Sequence, residues 1–301
     1  MNYERLKQEM NSISVAVTRD LEKELKELLD RCGLYYKCFC RVKTATSACE
    51  KIDKRLSKGA TNYKLQDILG IRIVVYFKKD IPLCEKIITK NYVVDNISKD
   101  EEDDETFRPQ RINYVCKLPA SVIDNINSDI WNYPIDQTFE IQVRTIFSEG
   151  WHEVEHDFRY KCADEWIENS DLSRTLNGVW ATLDNCDWAI ENLLSELAHR
   201  HYKNKEWIPM LKNVFRMRIS DEREMDDIIA CFEQDYSLAK QFLRLDREDF
   251  LIKLSDSGIK FPMKLSTIVY IANYVEIKDE NLLLITPPLI IEKCMTAFDE
   301  T

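Results

Sequence analysis

Glu140, Gln142 and Arg144 alternate with Phe139, Ile141 and Val143 in the stretch FEIQVRT. Such alternation sends the apolar set to one face of a strand and the Glu-Gln-Arg comb to the other. A carboxylate beside a guanidinium on one strand face suits a metal-phosphate site. For a strand taken by itself, a solvated face with cross-strand ion pairs is the favoured reading. A second group is Arg41, Lys43 and Ser47. Arg41 and Lys43 share a strand face, and Ser47 lies near the start of the next helix. Two cations converging on free backbone N–H groups make a cradle for polyphosphate; the alternative is a strand end with solvated bases. Lys51 is the next basic residue on that helix. Asp67 stands just ahead of an apolar strand that contains Arg72, as a cap or as a metal ligand.

One further pattern competes for the same region. His152-Glu153-Val154-Glu155-His156 matches H-E-x-x-H, in which two histidines hold zinc and the glutamate activates water. Its third ligand is unassigned. The other histidines are His199 and His201, and an acidic ligand could lie anywhere. A zinc hydrolase using His152 and His156 is therefore a rival reading.

These residues need elements to position them. Leu6, Met10, Ile13, Val17, Leu21, Leu25 and Leu28 recur at helical spacing, which predicts a helix over residues 3–31 that Gly33 ends. Residues 34–42 alternate and are rich in aromatics, as a strand should be. A helix through Ala48, Ile52 and Leu56 follows. Ile71 to Tyr76 form a nearly continuous apolar run, expected of a strand covered on both faces. A helix over 81–90 and a short strand over 92–97 come next. Asp100 to Glu105 are acidic throughout, a solvated mobile loop or a peripheral metal or partner site. Thr145 caps a helix carrying Glu149, on which Ile146, Trp151, Val154 and Phe158 are expected to share a buried side.

With the comb and its helix, the frame Glu140, Gln142, Arg144, Thr145, Trp151, Glu155, His156, Tyr160, Lys161 resembles the closing strand and helix of the RelA/SpoT nucleotide pyrophosphokinase (alarmone synthetase) domain. R-x-K-x-x-x-S at Arg41, Lys43 and Ser47 resembles that family's donor-ATP signature, and D-x-x-G-x-R at Asp67 to Arg72 its metal aspartate and adenine-stacking arginine. The likeness covers roughly residues 34–161. It implies pyrophosphate transfer from ATP to the 3′-hydroxyl of a nucleotide, with AMP released. Arg41, Lys43, Ser47 and Lys51 would bind the triphosphate, and Arg41 with Arg72 the adenine. Asp67 and Glu140 would carry Mg²⁺ and serve catalysis. Gln142 and Arg144 would line the acceptor side. On this reading the HEVEH match is accidental.

The acceptor loop departs from the family. Where Gly-Tyr-x-Ser-x-His is usual, this chain has FRPQRINYV. If Asn113-Tyr114-Val115 aligns with His-x-Val, the guanine-stacking Tyr position holds Pro109 and the Ser position Arg111. Arg108, Arg111 and Asn113 then become the acceptor candidates, with Phe107 beside them. A guanosine nucleotide, an adenine nucleotide and a tRNA 3′ end all remain as acceptor classes. A nucleotide-binding sensor that lost acceptor chemistry is the alternative from another class.

The expected fold is α/β, a mixed sheet flanked by helices, with an α-helical C-terminal part. Residues 1–200 are expected to form the synthetase-like domain and residues 201–301 a helical domain with a regulatory, oligomerising or core-completing role. There, Asp221, Ser237 and Asp246 are candidate N-caps, and Gly258 with Pro262 marks a break. Leu176, Trp180, Leu183, Trp188, Leu193, Leu194 and Leu197 are expected in the core or on a partner face, and a homo-oligomer fits the latter.

Net charge is −11 over 301 residues, which argues against non-specific nucleic-acid binding by bulk charge. No apolar run reaches the ~18 residues of a membrane span. The N-terminus lacks a signal peptide's apolar core, and the ten cysteines contain no C-x-x-C pair. Reduced thiols in a cytoplasmic protein are expected. No His precedes His152, and about 33 residues precede the synthetase-like part. Alarmone hydrolysis by a His-Asp metal domain is therefore not expected.

Overall fold

The protein is described here by a computed structural model covering residues 3–13, 15–99 and 112–299. The acidic run Asp100 to Glu105, with Phe107, Arg108, Pro109 and Arg111, lies outside the described residues. Described helices are α1 Tyr3–Ser12, α2 Val15–Arg31, α3 Ala45–Ser57, α4 Ile81–Asn91, α5 Ala120–Ile123, α6 Ile146–Glu155, α7 Ala163–Trp166 and α8 Ser170–Lys203. Seven more follow: α9 Trp207–Phe215, α10 Asp226–Gln234, α11 Tyr236–Leu243, α12 Arg247–Ser257, α13 Leu265–Ala272, α14 Glu280–Ile285 and α15 Pro288–Cys294. Strands are β1 Tyr36–Val42, β2 Leu69–Val75, β3 Val94–Lys99, β4 Ile112–Lys117 and β5 Thr138–Thr145.

The chain divides into two compact units, and the division differs from the expected one at residue 200. The first holds residues 1–27, 36–75 and 84–182; the second holds 28–35, 76–83 and 183–301. The second unit thus includes two short early segments that no local pattern assigned to it.

The first unit contains a mixed sheet in the order β1-β2-β5-β4-β3. Only β2 and β5 run parallel, with Gly70 opposite Glu140 and Arg72 opposite Gln142. The other pairs are antiparallel. Alternation decides which face each residue takes. Phe139, Ile141 and Val143 are buried, while Glu140, Gln142 and Arg144 are half-buried on the opposite face. β2 buries Leu69, Ile71, Ile73 and Val75 on one face; its other face buries Val74 but brings Gly70 and Arg72 half-buried to the cleft, so the strand is not covered on both faces as expected. The single helix expected over residues 3–31 is two helices. Asn11, of a residue type whose side chain competes for backbone hydrogen bonds, stands where α1 ends. In α2 the buried residue of the last turns is Leu29 rather than Leu28.

The expected inner face of α6 is wrong in all but one residue. Ile146, Val154 and Phe158 are exposed; Ser148, Trp151, His152 and Glu155 are buried. The aromatic ring of Trp151 decides this. It packs 5.4 Å from Trp180 on α8 and donates its indole N–H to the Leu176 carbonyl. Burying Trp151 turns Ser148, three before it, and Glu155, four after it, inward as well, and His152 lies four from Ser148 and three from Glu155 on the same stripe. Along α8, Trp188, Leu193 and Leu197 are exposed, whereas Trp180 and Ala198 are buried.

The second unit is helical. Its core gathers Trp207, Phe215, Phe232, Phe242, Phe250, Ile268 and Val269. Gly33 takes φ +60° and accepts a hydrogen bond from the Arg218 N–H at 2.7 Å. A Cβ there would meet the flexible Met263 methyl at 2.4 Å, which can move aside, so it is the left-handed backbone that favours glycine. Within the 3₁₀ turn Lys78–Asp80, Asp80 is fully buried and paired with Arg247 of α12. Arg247 also donates to the Phe215 and Arg216 carbonyls. Of the expected N-caps, Asp246 caps α12 through the Asp249 N–H. The other two are displaced. Asp235, not Ser237, caps α11, and Asp221 instead takes the Arg223 N–H and guanidinium in a turn before α10. Gly258, at φ +63°, closes α12 as expected. No helix among the described residues is long and apolar enough to cross a membrane.

Candidate active site

Asp67 sits in the connection before β2, and its loop is fastened on both sides. Lys43 N–H donates to the Ile68 carbonyl at 2.8 Å. Leu65 exchanges hydrogen bonds with Pro134 and Asp136, and the Thr138 hydroxyl donates to the Gln66 carbonyl at 2.9 Å. The insert before β5 therefore works as a clamp on the aspartate loop, a role its sequence did not suggest. One Asp67 oxygen, Oδ2, accepts from Lys43 Nζ and Lys51 Nζ, each at 2.8 Å. The other, Oδ1, is buried with no hydrogen-bond partner among the described residues. Burial pushes the Asp67 carboxyl up, but the two ammoniums outweigh it and hold it below the usual carboxylate range.

Beside Asp67, the Thr44 hydroxyl caps α3 by accepting from the Ser47 N–H at 3.3 Å. Helix α3 thus begins, with its positive end, next to Lys43. Arg41 lies across Gly70 on the neighbouring strand. A Cβ on Gly70 would stand 3.5 Å from Arg41 Nε. Phe39, two positions back on the same face of β1, is an exposed aromatic at the cleft wall.

On β5 the comb is internally bonded. Gln142 Nε2 donates to Glu140 Oε1, and Arg144 Nη2 donates to Gln142 Oε1 at 3.2 Å. Glu149, from the first turn of α6, joins this row to the next strand. It accepts from Arg144 Nη1 at 2.9 Å and from Arg72 Nη1. Arg72 also donates to Glu153 and to Gln142. Burial lowers the Arg72 pKa, yet Glu149 and Glu153 more than restore it, so the guanidinium is firmly charged.

A cleft of about 580 Å³ collects these groups, within the range of small-molecule sites. Of the candidate residues, Arg41, Lys51, Asp67, Arg72, Asn113, Glu140, Gln142 and Arg144 line it. Lys43 is tied to it through Asp67, and Ser47 stands in the first turn of α3 rather than in the wall. Arg108 and Arg111 lie outside the described residues. Sequence reasoning missed three participants. Phe39 was legible from its i,i+2 spacing to Arg41. Glu149 and Glu153, the partners of Arg72, were masked by the capping and zinc readings of their helix.

The histidine pair takes other roles. His152 is buried beside the rings of Trp151 and Trp180. His156 stacks on Tyr160 at 5.7 Å and contacts Asp157. A zinc hydrolase needs three protein ligands. Among the described residues, no trio of closely spaced His, Cys, Asp or Glu ligand atoms includes either histidine. The carboxylate pair meets different demands. Mg²⁺ takes one or two carboxylates together with phosphate oxygens and waters. An unpartnered, buried Asp67 Oδ1 beside a roomy polar cleft, with Glu140 on the adjoining wall, fits that donor set.

Residues 40–165 match the family profile described as the region found in RelA/SpoT proteins, so the chain carries a RelA/SpoT-type domain over that span. Solved structures to which the chain is similar include the small alarmone synthetase 1 from Bacillus subtilis, at 21% identity over 64% of this chain and 96% of that one, TM-score 0.47. The same enzyme bound to its product pppGpp gives 20% identity, 65% and 97% coverage, and TM-score 0.48. A GTP pyrophosphokinase family protein from Streptococcus pneumoniae gives 19%, 64% and 93%, and 0.45. No curated protein sequence matches the chain.

Proposed function

We propose that this chain, an ATP-dependent nucleotide pyrophosphokinase by its RelA/SpoT-type domain, transfers the β,γ-pyrophosphate of ATP to the 3′-hydroxyl of a nucleotide acceptor. The carrying observation is that Asp67 and Glu140, from separate chain segments, line one cleft with Arg41, Lys51 and Arg72 inside that domain. The acceptor 3′-oxygen attacks Pβ, the bond from Pβ to the bridging oxygen of the α-phosphate breaks, and AMP leaves with that oxygen. The hydroxyl proton passes to Glu140, the carboxylate at the cleft wall, and from there to solvent. Gln142, donating to one Glu140 oxygen, fixes the orientation of that carboxylate. Arg41 and Lys51, with Lys43 behind them, bind the triphosphate; Ser47 at the α3 N-terminus adds backbone N–H groups. Arg72 and Arg41 hold the adenine, with planar guanidinium groups suited to stacking. Arg144 and Asn113 line the acceptor side. Asp67 and Glu140 would hold Mg²⁺, which offsets charge on the transferred group when bound.

A guanosine di- or triphosphate is the leading acceptor, in keeping with the RelA/SpoT-type domain; an adenine nucleotide and a tRNA 3′ end are the alternatives. Incubation with β-³²P-ATP and, separately, GDP, GTP, ADP, ATP and bulk tRNA distinguishes them. Label on one acceptor with equimolar AMP supports transfer and names the acceptor class. ATP binding without AMP release under every condition would sink it and leave a nucleotide sensor.

Gly70 provides a test of the donor side. Alanine there places its Cβ in ordinary contact with Arg41, so Gly70→Ala is expected to keep the wild-type KM for ATP. Valine displaces the guanidinium from the cleft wall. Gly70→Val is expected to raise KM for ATP about tenfold, the loss of ~1.4 kcal/mol, with kcat little changed. An unchanged KM would remove Arg41 from the donor site.

A further inference from the structure

We propose that Glu22, Cys38 and Cys40 form a binding site for a zinc-class divalent cation on the face of β1 opposite the cleft. Alternation along β1 carries the argument. Phe39 and Arg41 point to the cleft, so Cys38 and Cys40 point the other way, toward α2. Glu22 of α2 meets them there. One ligand atom from each of the three residues lies within 4.8 Å of the other two, a set no other trio among the described residues matches. A tetrahedral zinc with ~2.3 Å bonds to sulfur brings its ligands to such separations. Two thiolates and one carboxylate leave a fourth position for water. All three residues are half-buried, so an ion can reach them and still be partly shielded from solvent.

A cation already stands at this spot. The Lys26 ammonium pairs with the Glu22 carboxylate. An entering cation replaces the Lys26 ammonium on Glu22, and the thiol protons pass to solvent. The choice of metal follows from the donors. Thiolate ligands favour zinc and its softer relatives over Mg²⁺, which takes oxygen ligands. This site therefore does not compete for the ion held by Asp67 and Glu140. Its consequence is mechanical: an ion bonded to both α2 and β1 fastens the strand that bears Arg41.

Titration of the full reduced chain with Co²⁺ and with Zn²⁺ tests this. The expected result is one Co²⁺ per chain, with a thiolate-to-cobalt charge-transfer band that stoichiometric Zn²⁺ abolishes, and a rise in Tm with either metal. Cys38→Ser and Cys40→Ser are each expected to lose the band and to weaken binding more than about 100-fold, beyond the cost of losing an outer-shell partner. Glu22→Gln should weaken it about tenfold. No band in the wild type at micromolar metal would overturn the proposal, as would a band that survives in the double serine variant. Should the serine variants not fold, alkylation of the wild type decides: Zn²⁺ must shield the peptide with Cys38 and Cys40 from iodoacetamide. Equal labelling with and without the metal refutes the site.

Discussion

Glu140→Gln is expected to lower the rate of AMP release by a factor of ~10³, the middle of the range that a positioned acid–base group contributes, while Tm stays within a degree of wild type. The substitution is nearly isosteric. Glutamine at this position can still accept from the Gln142 amide, so the β5 row keeps its bonds. What disappears is the negative charge at the cleft wall and with it a site for the hydroxyl proton. Binding of ATP to Arg41, Lys43 and Lys51 should survive, which places the loss in kcat rather than in KM. Asp67→Asn gives the informative contrast. Asp67 neutralises Lys43 and Lys51 together on one oxygen, in a spot where its own side chain is 13% exposed. The amide removes that charge and leaves two ammoniums facing each other. Activity is therefore lost along with some stability, ~1–3 kcal/mol, the cost of an unsatisfied buried group. Measuring kcat and Tm for both variants separates the roles. A Glu140→Gln enzyme with normal turnover would show that the carboxylate takes no part in the transfer.

Asp80→Ala is expected to destabilise the second unit by about 3–5 kcal/mol, the cost of breaking a buried ion pair from one side. Arg247 is 5% exposed and Asp80 1%, so neither charge has water to fall back on. After the change Arg247 keeps the Phe215 and Arg216 carbonyls but has no anion. Removing both charges tells pairing apart from packing. The double variant Asp80→Leu with Arg247→Met should recover part of the loss, since apolar replacement of a whole buried pair is often neutral. Recovery stays incomplete because the two carbonyls lose their donor. Thermal melts followed by circular dichroism measure both. A single variant melting at the wild-type temperature would mean the pair contributes nothing.

The two sites differ in how far the sequence exposed them. Strand alternation is a period of two, and it assigned every residue of the Glu140, Gln142, Arg144 row to a face without further information. The apolar run of β2 was equally plain. Helix α6 shows where this fails. Its apolar residues occur on more than one side, so periodicity alone favoured Ile146, Val154 and Phe158, and only packing against Trp180 selects the buried stripe. A neighbour distant in sequence made that choice, and no local pattern encodes it. The capping residues of α10 and α11 failed for a smaller reason. Asp, Ser and Thr near a helix start are interchangeable by propensity; local turn geometry picks Asp235 for α11 and leaves α10 with Met225 at its cap position and no side-chain cap. The membership of the second unit was hidden more deeply. Asp80 reads as an ordinary turn residue until Arg247, far along the chain, is seen beside it. The pairing of Arg72 with Glu149 and Glu153 was hidden in the same way, since each residue had a local explanation of its own.

The parallel pairing of β2 with β5 has a consequence for how such an enzyme can diversify. Because the two strands run side by side in the same direction, Asp67 at the entrance of one and Glu140 near the entrance of the other reach the same end of the sheet. Their separation is set by hydrogen-bond register, and the length of chain between them does not enter. The stretch from β3 to the clamp at Pro134 can therefore lengthen, shorten or change composition while the carboxylates and the β1 cations stay where they are. That stretch contains β4, whose Asn113 lines the cleft on the side proposed above for the acceptor. With the roles proposed above, the donor half is in effect a fixed socket and the acceptor half an exchangeable fitting, so a lineage can change what it modifies without rebuilding what it uses to modify it.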